Sequence, residues 1–279
     1  MRHTNPPGHG SPLQGGRYTR GVGKVSTADQ PLITVITVVR NHVASIEQTV
    51  ISVLGQDYGN IEYIVLDGAS TDGTLDVIRR YDFDIDYWAS RPDNGVYDAL
   101  NKAIAVSAGE YVGVIHAGSC YRPDTVSHVV QIIRSHGVHA LIAGSAEWAK
   151  PQRVFRRSKM KPLGPDNTSI LHETLFFPRA LLNSLGSYNA RFRISADLDL
   201  LMRAVVDHNV PVLYQDDIFV EYRESWGLSG RLRNQLRKYK EHYWIQSRYL
   251  NGRAAFHRFL RRCMSLAVRI PISVFRRNY

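Results

Sequence analysis

Residues 61–74 read IEYIVLDGASTDGT, an apolar run that passes directly into a polar turn. The first six residues are mostly β-branched or aromatic, which is typical of a strand buried on both faces. The next eight include two glycines and two aspartates, a composition that favours a tight turn capping a helix. The stretch therefore predicts a strand over Ile61–Leu66, a loop, and a helix over Thr74–Tyr81.

The same alternation extends to both sides of this stretch. Strands are predicted at Leu32–Val39, Ile85–Ala89 and Tyr111–Ile115, and helices at Val43–Leu54, Gly95–Val106 and Pro123–Ser135. Strands that alternate with helices at this spacing indicate βαβ units and a mostly parallel sheet, an α/β fold. Because such sheets bind ligands at the carboxyl ends of their strands, we expect a site among the loops at 40–41, 67–72 and 116–120.

The second half of the chain has a less regular pattern. Strand-like segments at Ala140–Ala143, Val154–Phe155 and Ile170–Phe177 flank a basic loop, Arg153–Lys161. Beyond it we predict a helix over Ala180–Leu185, a helix from Ser195 or Ala196, a strand over Val210–Tyr222, and helices over Leu228–Tyr249 and Ala254–Arg269.

Composition divides the chain into three parts. Residues 1–30 hold six glycines and three prolines without an apolar stretch, so we expect a disordered leader that is not a secretory signal. Residues 31–227 form the predicted globular domain. Residues 228–279 form a basic amphipathic helical tail.

The net charge of +10 lies in the tail. Residues 228–279 hold thirteen Lys or Arg and one acid, Glu241, whereas residues 1–227 hold 22 basic and 24 acidic residues. A basic tail indicates an anionic partner, such as a membrane surface, a nucleic acid or a phosphorylated substrate. Two cysteines without CxxC spacing exclude a disulfide framework and a zinc site of that type.

Four blocks follow one another from the first predicted strand to the fourth. They are Ile36–Asn41, Ile61–Thr74, Ser90–Ile104 and Gly109–Ile115, and a looser fifth block covers His172–Arg203. In this order and spacing the chain resembles a family 2 glycosyltransferase of the GT-A fold, in particular the subgroup that builds bacterial surface polysaccharides. The resemblance covers about two thirds of the chain. It implies that residues 31–119 are a nucleotide-binding half and residues 120–227 an acceptor half of the domain.

The resemblance implies a set of nucleotide-binding residues. It assigns Thr37, Val39 and Arg40 to the base and ribose, Asp67 to the base, and Asp93, Asn94 and Asn101 to the same cleft. An aspartate at a strand end can accept the imide N–H of a pyrimidine. The alternative for Asp67 is to cap the next helix or to close its own turn, and the alternative for Asp93 or Asn94 is helix capping.

The resemblance also implies a catalytic base at the start of the helix after Ser195. Asp197 is the candidate and Asp199 its rival, and two residues so spaced do not share a helix face. The alternative role for either is stabilisation of the first helical turn. The implied reaction is an inverting single displacement, in which the base takes the proton of the acceptor hydroxyl.

One block departs from the family. Its fourth strand should end in a metal motif such as Asn-Ser-Asp-Asp, but here His116–Cys120 reads HAGSC, with Ser119 at the metal position and His116 as a softer substitute. A hydroxyl is a poor ligand for Mg²⁺ or Mn²⁺, so no cofactor is assigned with certainty. Either Arg91, Lys102 or the Arg153–Lys161 loop stabilises the diphosphate, or the chain is a non-catalytic glycan-assembly subunit.

The tail interleaves basic and apolar residues, which is typical of an amphipathic surface anchor. The alternative is a helical extension packed on its own domain. No nucleic-acid motif accompanies the charge, so we do not expect nucleic acid as a partner. Together with the resemblance, these features predict transfer of a sugar from a nucleotide sugar to a lipid-linked glycan, by a peripheral protein at the cytoplasmic face of the plasma membrane.

Overall fold

The computed structural model describes residues 13–137, 139–150, 153–158, 171–223 and 232–269, and the side chains of 149–150, 153–158, 232–233 and 265–269 are outside this description. Within those ranges the strands are β1 (Gln14–Gly15), β2 (Ile33–Val39), β3 (Ile61–Asp67), β4 (Tyr87–Ser90), β5 (Tyr111–Val114), β6 (Ser119–Tyr121), β7 (Leu141–Lys150), β8 (Arg153–Ser158), β9 (Leu175–Pro178) and β10 (Val212–Tyr222). The helices are α1 (Ile46–Leu54), α2 (Thr74–Arg80), α3 (Val96–Val106), α4 (Thr125–His136), α5 (Arg179–Leu185), α6 (Ala196–Met202), α7 (Leu232–Gln246) and α8 (Gly252–Arg269).

All the described strands belong to one sheet in the order β1-β4-β3-β2-β5-β9-β7-β10-β6, with β8 paired to β7. Strands β4, β3, β2 and β5 are parallel neighbours, which confirms the predicted α/β fold and its parallel core. Every residue of β2 and β3 is buried, because helices cover both faces. Apolar residues of α1, α2 and α4 pack on one face, and those of α3, α5 and α6 on the other.

The carboxyl ends of the parallel strands meet at one edge of the sheet. Arg40, Gly68 and Arg91 follow β2, β3 and β4, and His116 comes shortly after β5. Beyond β5 the sheet is mixed: β9 pairs antiparallel with β5 and β7, and β10 runs parallel to β7 and antiparallel to β6. This order brings the second half of the chain back to the edge where the loops lie.

The predicted disordered leader is wrong for the part that the structure describes, and residues 1–12 lie outside it. Strand β1 pairs with β4, and the hydroxyl of Tyr18 donates to the buried carboxylate of Glu62 over 2.5 Å. Lys24 forms an ion pair of 2.9 Å with Asp86, whose side chain is 1% exposed. Both buried carboxylates thus gain partners from residues 13–30, and β1 covers an edge strand whose backbone groups would otherwise be unpaired.

The basic tail forms two helices that contact each other and the domain. Tyr243 of α7 packs on the rings of Phe256 and Phe259 of α8. Ile245 of α7 is buried against Leu198 and Met202 of α6. None of the helices in the described part of the chain combines the length and apolarity that crossing a membrane requires.

Candidate active site

The loops after β2 and β3 are joined by hydrogen bonds. Asn41 donates its backbone N–H to Ser70 Oγ over 2.8 Å, and its side-chain oxygen accepts the N–H of Thr71 over 2.8 Å. Asn41 has a φ of 55°, a left-handed conformation that asparagine tolerates better than most residues. These bonds fix the rim of the candidate site without help from a ligand.

Asp67 lies at the centre of this rim and is 2% exposed. Its Oδ2 accepts the backbone N–H of Ser70 over 3.0 Å and the hydroxyl of Ser90 over 2.5 Å. Its Oδ1 accepts the hydroxyl of Ser70. The carboxylate therefore closes its own turn, as the alternative for this residue stated, and links the ends of β3 and β4.

Arg40 and Asp93 flank Gly68 on the exposed side of the rim. A Cβ built on Gly68 would lie 2.6 Å from Asp93 Oδ2 and 3.3 Å from Arg40 Cβ, so the glycine allows the two side chains to approach each other. Asp93 Oδ1 accepts the N–H of Gly95 over 2.8 Å. The structure thus brings together Arg40, Asp67 and Asp93, three of the predicted nucleotide-binding residues.

Other predicted nucleotide residues are held elsewhere. Thr37 is fully buried, with its hydroxyl 3.1 Å from that of Tyr63, and Val39 is 6% exposed, so neither side chain reaches the rim. Asn101 lies a turn and a half along α3, where its side-chain amide donates to the carbonyl of Tyr188 over 2.8 Å and accepts its N–H over 2.9 Å. Asn101 is a structural bridge between α3 and residue 188 in this structure.

The first turn of α3 connects the rim to the predicted base. Asn94, at the rim, accepts a hydrogen bond from the guanidinium of Arg193 through its carbonyl. One turn later, the hydroxyl of Tyr97 donates to the carbonyl of Ile194 over 2.8 Å and lies 3.1 Å from Asp197 Oδ1. The rim and Asp197 therefore both lie next to the N-terminal end of α3.

Asp197 is a partly buried carboxylate. Burial raises its pKa above the ordinary value of 3.8, while hydrogen bonds from the Leu198 backbone and Tyr97 and the charge of Lys238 partly oppose the rise. A carboxylate with a raised pKa is a stronger base than an exposed one, which suits proton abstraction near neutral pH.

Asp199 has a different environment. It is 1% exposed, with Arg203 Nε at 2.9 Å from Oδ2 and Arg248 Nη1 at 3.4 Å from Oδ1. Arg203 also donates to the carbonyls of Leu185 and Ser187. The second candidate base is thus neutralised by two guanidinium groups and ties α6 to the end of α5 and to the tail.

A row of aromatic and imidazole rings leads from Asp197 to the loop after β5. Tyr97 packs on Tyr188 with ring centroids 5.4 Å apart, and the hydroxyl of Tyr188 lies 2.8 Å from His172 Nε2. The rings of His172 and His116 are 5.8 Å apart. Burial, and then the charge of His116, lower the pKa of His172 to about 3, so His172 is neutral at physiological pH.

The residues at the expected metal position do not fit a divalent ion. Ser119 is 5% exposed, and its carbonyl accepts the hydroxyl of Thr49 over 2.8 Å. The neighbouring carboxylate of Glu173 accepts the N–H of His116 over 2.9 Å and a hydrogen bond from Tyr222. Across the described ranges, no group of three or more His, Cys, Asp or Glu is arranged to hold a metal ion.

Three further side chains at this site are not among the residues predicted from the sequence. Tyr97 recurs with Leu100 and Ile104 at helical spacing, which indicates a core position, and it does pack in the core. Glu173 follows a histidine without a recognisable motif. Glu241 did carry a signal, as the sole acid of residues 228–279, and its carboxylate accepts the N–H groups of Arg193, Ile194 and Ser195.

Comparisons with known proteins agree on one family. The model described as glycosyl transferase family 2 matches residues 34–195. An uncharacterized glycosyltransferase of Mycobacterium tuberculosis is 30% identical over 188 residues, covering 63% of this chain and 70% of the relative. A PGL/p-HBAD biosynthesis glycosyltransferase of Mycobacterium bovis is 26% identical over 213 residues, covering 72% and 80%.

Solved structures with the same fold include complexes with nucleotide sugars. S. aureus TarS 1-349 in complex with UDP-GlcNAc superposes with a TM-score of 0.67 at 18% identity, covering 87% of this chain and 77% of that one. The mannosyltransferase PcManGT from Pyrobaculum calidifontis, in complex with GDP-Man and Mn2+, gives a TM-score of 0.61 at 21% identity, covering 88% and 72%. The family match ends at Ser195, so the role of Asp197 depends on the geometry described above.

Proposed function

The chain belongs to glycosyl transferase family 2, and from that membership we propose that it transfers a sugar from a nucleoside diphosphate sugar to a hydroxyl of a lipid-linked glycan, with inversion at the anomeric carbon. Its relatives include a glycosyltransferase of PGL/p-HBAD biosynthesis. Proteins of the same fold bind UDP-GlcNAc or GDP-Man, which supports a nucleotide sugar as the donor here.

The observation that carries the proposal is the position of Asp197. Its carboxylate is partly buried, has a raised pKa, and lies one helical turn of α3 away from the rim formed by Arg40, Gly68 and Asp93. A donor bound at the rim would present its anomeric carbon toward the start of α6. An acceptor hydroxyl between the two would then lie within reach of the base.

The reaction is a single displacement. The acceptor oxygen forms a bond to the anomeric carbon while the bond from that carbon to the diphosphate oxygen breaks. The proton of the hydroxyl passes to Asp197, and the electron pair of the broken bond leaves with the nucleoside diphosphate. Asp199 cannot take this role in the described arrangement, because both of its oxygens face guanidinium groups.

The leaving diphosphate needs positive charge at the rim. Arg40 and Arg91 are both exposed and follow the ends of β2 and β4, the parallel strands on either side of β3, so they are the described cations that we assign to it. Lys102 is less suited, because its ammonium pairs with Asp98 over 2.7 Å one turn earlier on α3. The predicted Arg153–Lys161 loop has side chains outside the described residues.

The test is donor turnover by the full chain. We expect release of nucleoside diphosphate when UDP-GlcNAc, GDP-mannose and related donors are screened with octyl glycosides as acceptors. Proton NMR of the glycoside product should show the anomeric configuration opposite to that of the donor. Release with retained configuration would reject the inverting mechanism, and absence of release from every donor would favour the non-catalytic alternative.

The tail supports a second part of the proposal, peripheral attachment to an anionic membrane face. The helices α7 and α8 carry exposed apolar side chains at Leu236, Trp244, Phe256, Leu260 and Met264. They also hold most of the thirteen basic residues of the tail. Basic residues near an anionic leaflet contribute on the order of 1 kcal/mol each, so apolar insertion and charge would act together.

Vesicle sedimentation tests this attachment. We expect the full chain to sediment with vesicles of phosphatidylcholine and phosphatidylglycerol but not with phosphatidylcholine alone, and added salt should reduce the binding. Trp244→Ser should weaken it. Phe83→Ser is the matched control, because Phe83 is 74% exposed and packs against Arg20 of the domain. Equal losses in the two variants would contradict a binding face on the tail.

A further inference from the structure

The start of α6 lacks a cap of its own. Its N-cap residue, Ser195, makes no side-chain capping hydrogen bond, and the hydroxyl of Ser195 is buried without a partner among the described residues. The backbone N–H groups at a helix start need acceptors, and the Asp197 carboxylate accepts that of Leu198. The segment that leads into the helix, residues 193–195, is held by the tail helix α7.

Glu241 of α7 makes this contact with the segment before α6. Its Oε1 accepts the N–H of Arg193 over 2.9 Å, and its Oε2 accepts those of Ile194 and Ser195, each over 2.9 Å. Three consecutive N–H groups thus converge on one carboxylate. Charge-assisted bonds of this kind are about twice as strong as neutral ones, so the contact holds residues 193–195 firmly.

The same peptide is held from its other side by Tyr97. The carbonyl of Ile194 accepts the hydroxyl of Tyr97 over 2.8 Å, and that hydroxyl also lies 3.1 Å from Asp197. Ile194 is therefore fixed between a tail carboxylate at its N–H and Tyr97 at its carbonyl. Asp197 lies three residues further on, at the start of the helix that this segment begins.

We infer that Glu241 is a positioning residue for the transfer reaction: by holding the 193–195 backbone, the tail helix sets the place of the Asp197 carboxylate beside Tyr97. The inference rests on the proposed role of Asp197 as base. It gives the tail a task in catalysis that is separate from attachment to a surface. It also explains why Glu241, the single acid in a tail with thirteen basic residues, faces the domain rather than the solvent.

The position of α7 does not depend on Glu241 alone. Ile245, one turn further along, is buried against Leu198 and Met202. Tyr249 donates its hydroxyl to Asp207 over 3.0 Å. Removal of the Glu241 carboxylate should therefore leave α7 docked and release the 193–195 segment, which separates a positioning effect from loss of the tail.

Glu241→Gln in the full chain is the decisive variant, since an amide cannot accept all three N–H groups. We expect kcat for nucleoside diphosphate release to fall about 10–100-fold, the cost of misplacing a reacting group by about an ångström. The affinity for UDP or GDP should be unchanged. Asp207→Asn removes a tail–domain carboxylate that does not touch residues 193–195, and it should keep the kcat of the unmodified chain.

The pH profile supplies a readout that a purely structural role would not move. The charged or titratable groups that face Asp197 are Tyr97 from α3, Tyr188, and Lys238 from α7. When the 193–195 segment loosens, water reaches Asp197 and its pKa falls toward the ordinary value. The acid limb of the kcat profile should therefore shift to lower pH in Glu241→Gln and stay in place in Asp207→Asn.

Hydrogen exchange distinguishes failure of this inference from failure of the proposed function. Amides 193–195 should be protected in the unmodified chain and should exchange at least tenfold faster in Glu241→Gln. Unchanged protection, or lost protection with unchanged kcat and acid limb, overturns the inference. A chain that turns over no donor refutes the proposed function instead, and the positioning role falls with it.

If Glu241→Gln does not fold, Glu241→Asp, which keeps the charge and shortens the reach, is judged by the same outcomes.

Discussion

Asp67 and Asp197 lie on adjacent sides of the start of α3, but their surroundings are built from different parts of the chain. Asp67 is held by Ser70 and Ser90, 3 and 23 residues away. Asp197 meets Tyr97 100 residues away, and the segment before it is held by Glu241, 46 to 48 residues from its partners. The nucleotide rim is organised locally, whereas the base is organised by distant segments. Changes at the rim should therefore affect binding, and changes around α6 should affect turnover.

The largest expected effect is on turnover and comes from substitution of the base, Asp197. Asp197→Asn keeps the shape of the side chain and removes the proton acceptor, so kcat should fall about 10²–10⁴-fold while nucleotide affinity changes little. Steady-state kinetics and calorimetry with the same protein measure both quantities. Equal losses of turnover and nucleotide affinity would place Asp197 in the nucleotide site instead.

Asp199→Asn is the matched variant two residues along the same helix. It leaves Arg203 without its buried partner, and breaking a buried ion pair costs about 3–5 kcal/mol. We expect lower stability in denaturant unfolding, with the kcat of the folded fraction reduced much less than in Asp197→Asn. If Asp199→Asn instead abolishes turnover in a stable protein, the roles of the two aspartates are exchanged.

The raised pKa of Asp197 has a consequence for stability. The folded state binds this proton more tightly than the unfolded state, so stability is lost as the pH rises from 3.8 through the raised pKa. Asn cannot ionise, so Asp197→Asn should be more stable than the unmodified chain at neutral pH, and the difference should shrink as the pH falls toward the ordinary pKa of 3.8. Thermal unfolding across this pH range measures the difference, and a difference that does not depend on pH would contradict the raised pKa of Asp197.

On the rim, the next effect concerns affinity. If Asp67 also accepts a hydrogen bond from the base, Asp67→Ala should weaken nucleotide binding by about 1.5–3 kcal/mol. Ser90→Ala is the control, because it removes one donor to Asp67 and leaves the carboxylate in place; we expect a loss below tenfold. Calorimetry that gives the same loss for both variants would mean that Asp67 acts only by closing its turn.

The difference between the two regions also explains which features the sequence could predict. The strands β2, β3 and β5, the turn at Asp67 and the helix α3 follow from local patterns of apolar and turn-forming residues, so their prediction is close to the structure. The order of β9, β7 and β10 and the contacts of Tyr97, Glu173 and Glu241 join segments far apart in the chain. Neither periodicity nor spacing specifies such pairs. Residues 13–30 were misjudged for the same reason, since the buried carboxylates of Glu62 and Asp86 that hold them lie far along the sequence.

The smallest expected effect concerns metal at the loop after β5. Ser119 is a buried hydroxyl where the family carries a carboxylate, and Glu173 is occupied by the N–H of His116 and by Tyr222. We therefore expect EDTA to reduce nucleotide affinity by less than tenfold, or about 1.4 kcal/mol. Ser119→Asp should increase the effect of Mn²⁺, because it adds a hard oxygen ligand at the strand end.

Titration of UDP and GDP with Mn²⁺ or EDTA measures the change in nucleotide affinity in both proteins. A larger loss on chelation in the unmodified chain would mean that this loop holds a metal through other residues, and His116 and His172 would be the first to substitute. The loop after β5 would then contribute to nucleotide binding as well as to turnover.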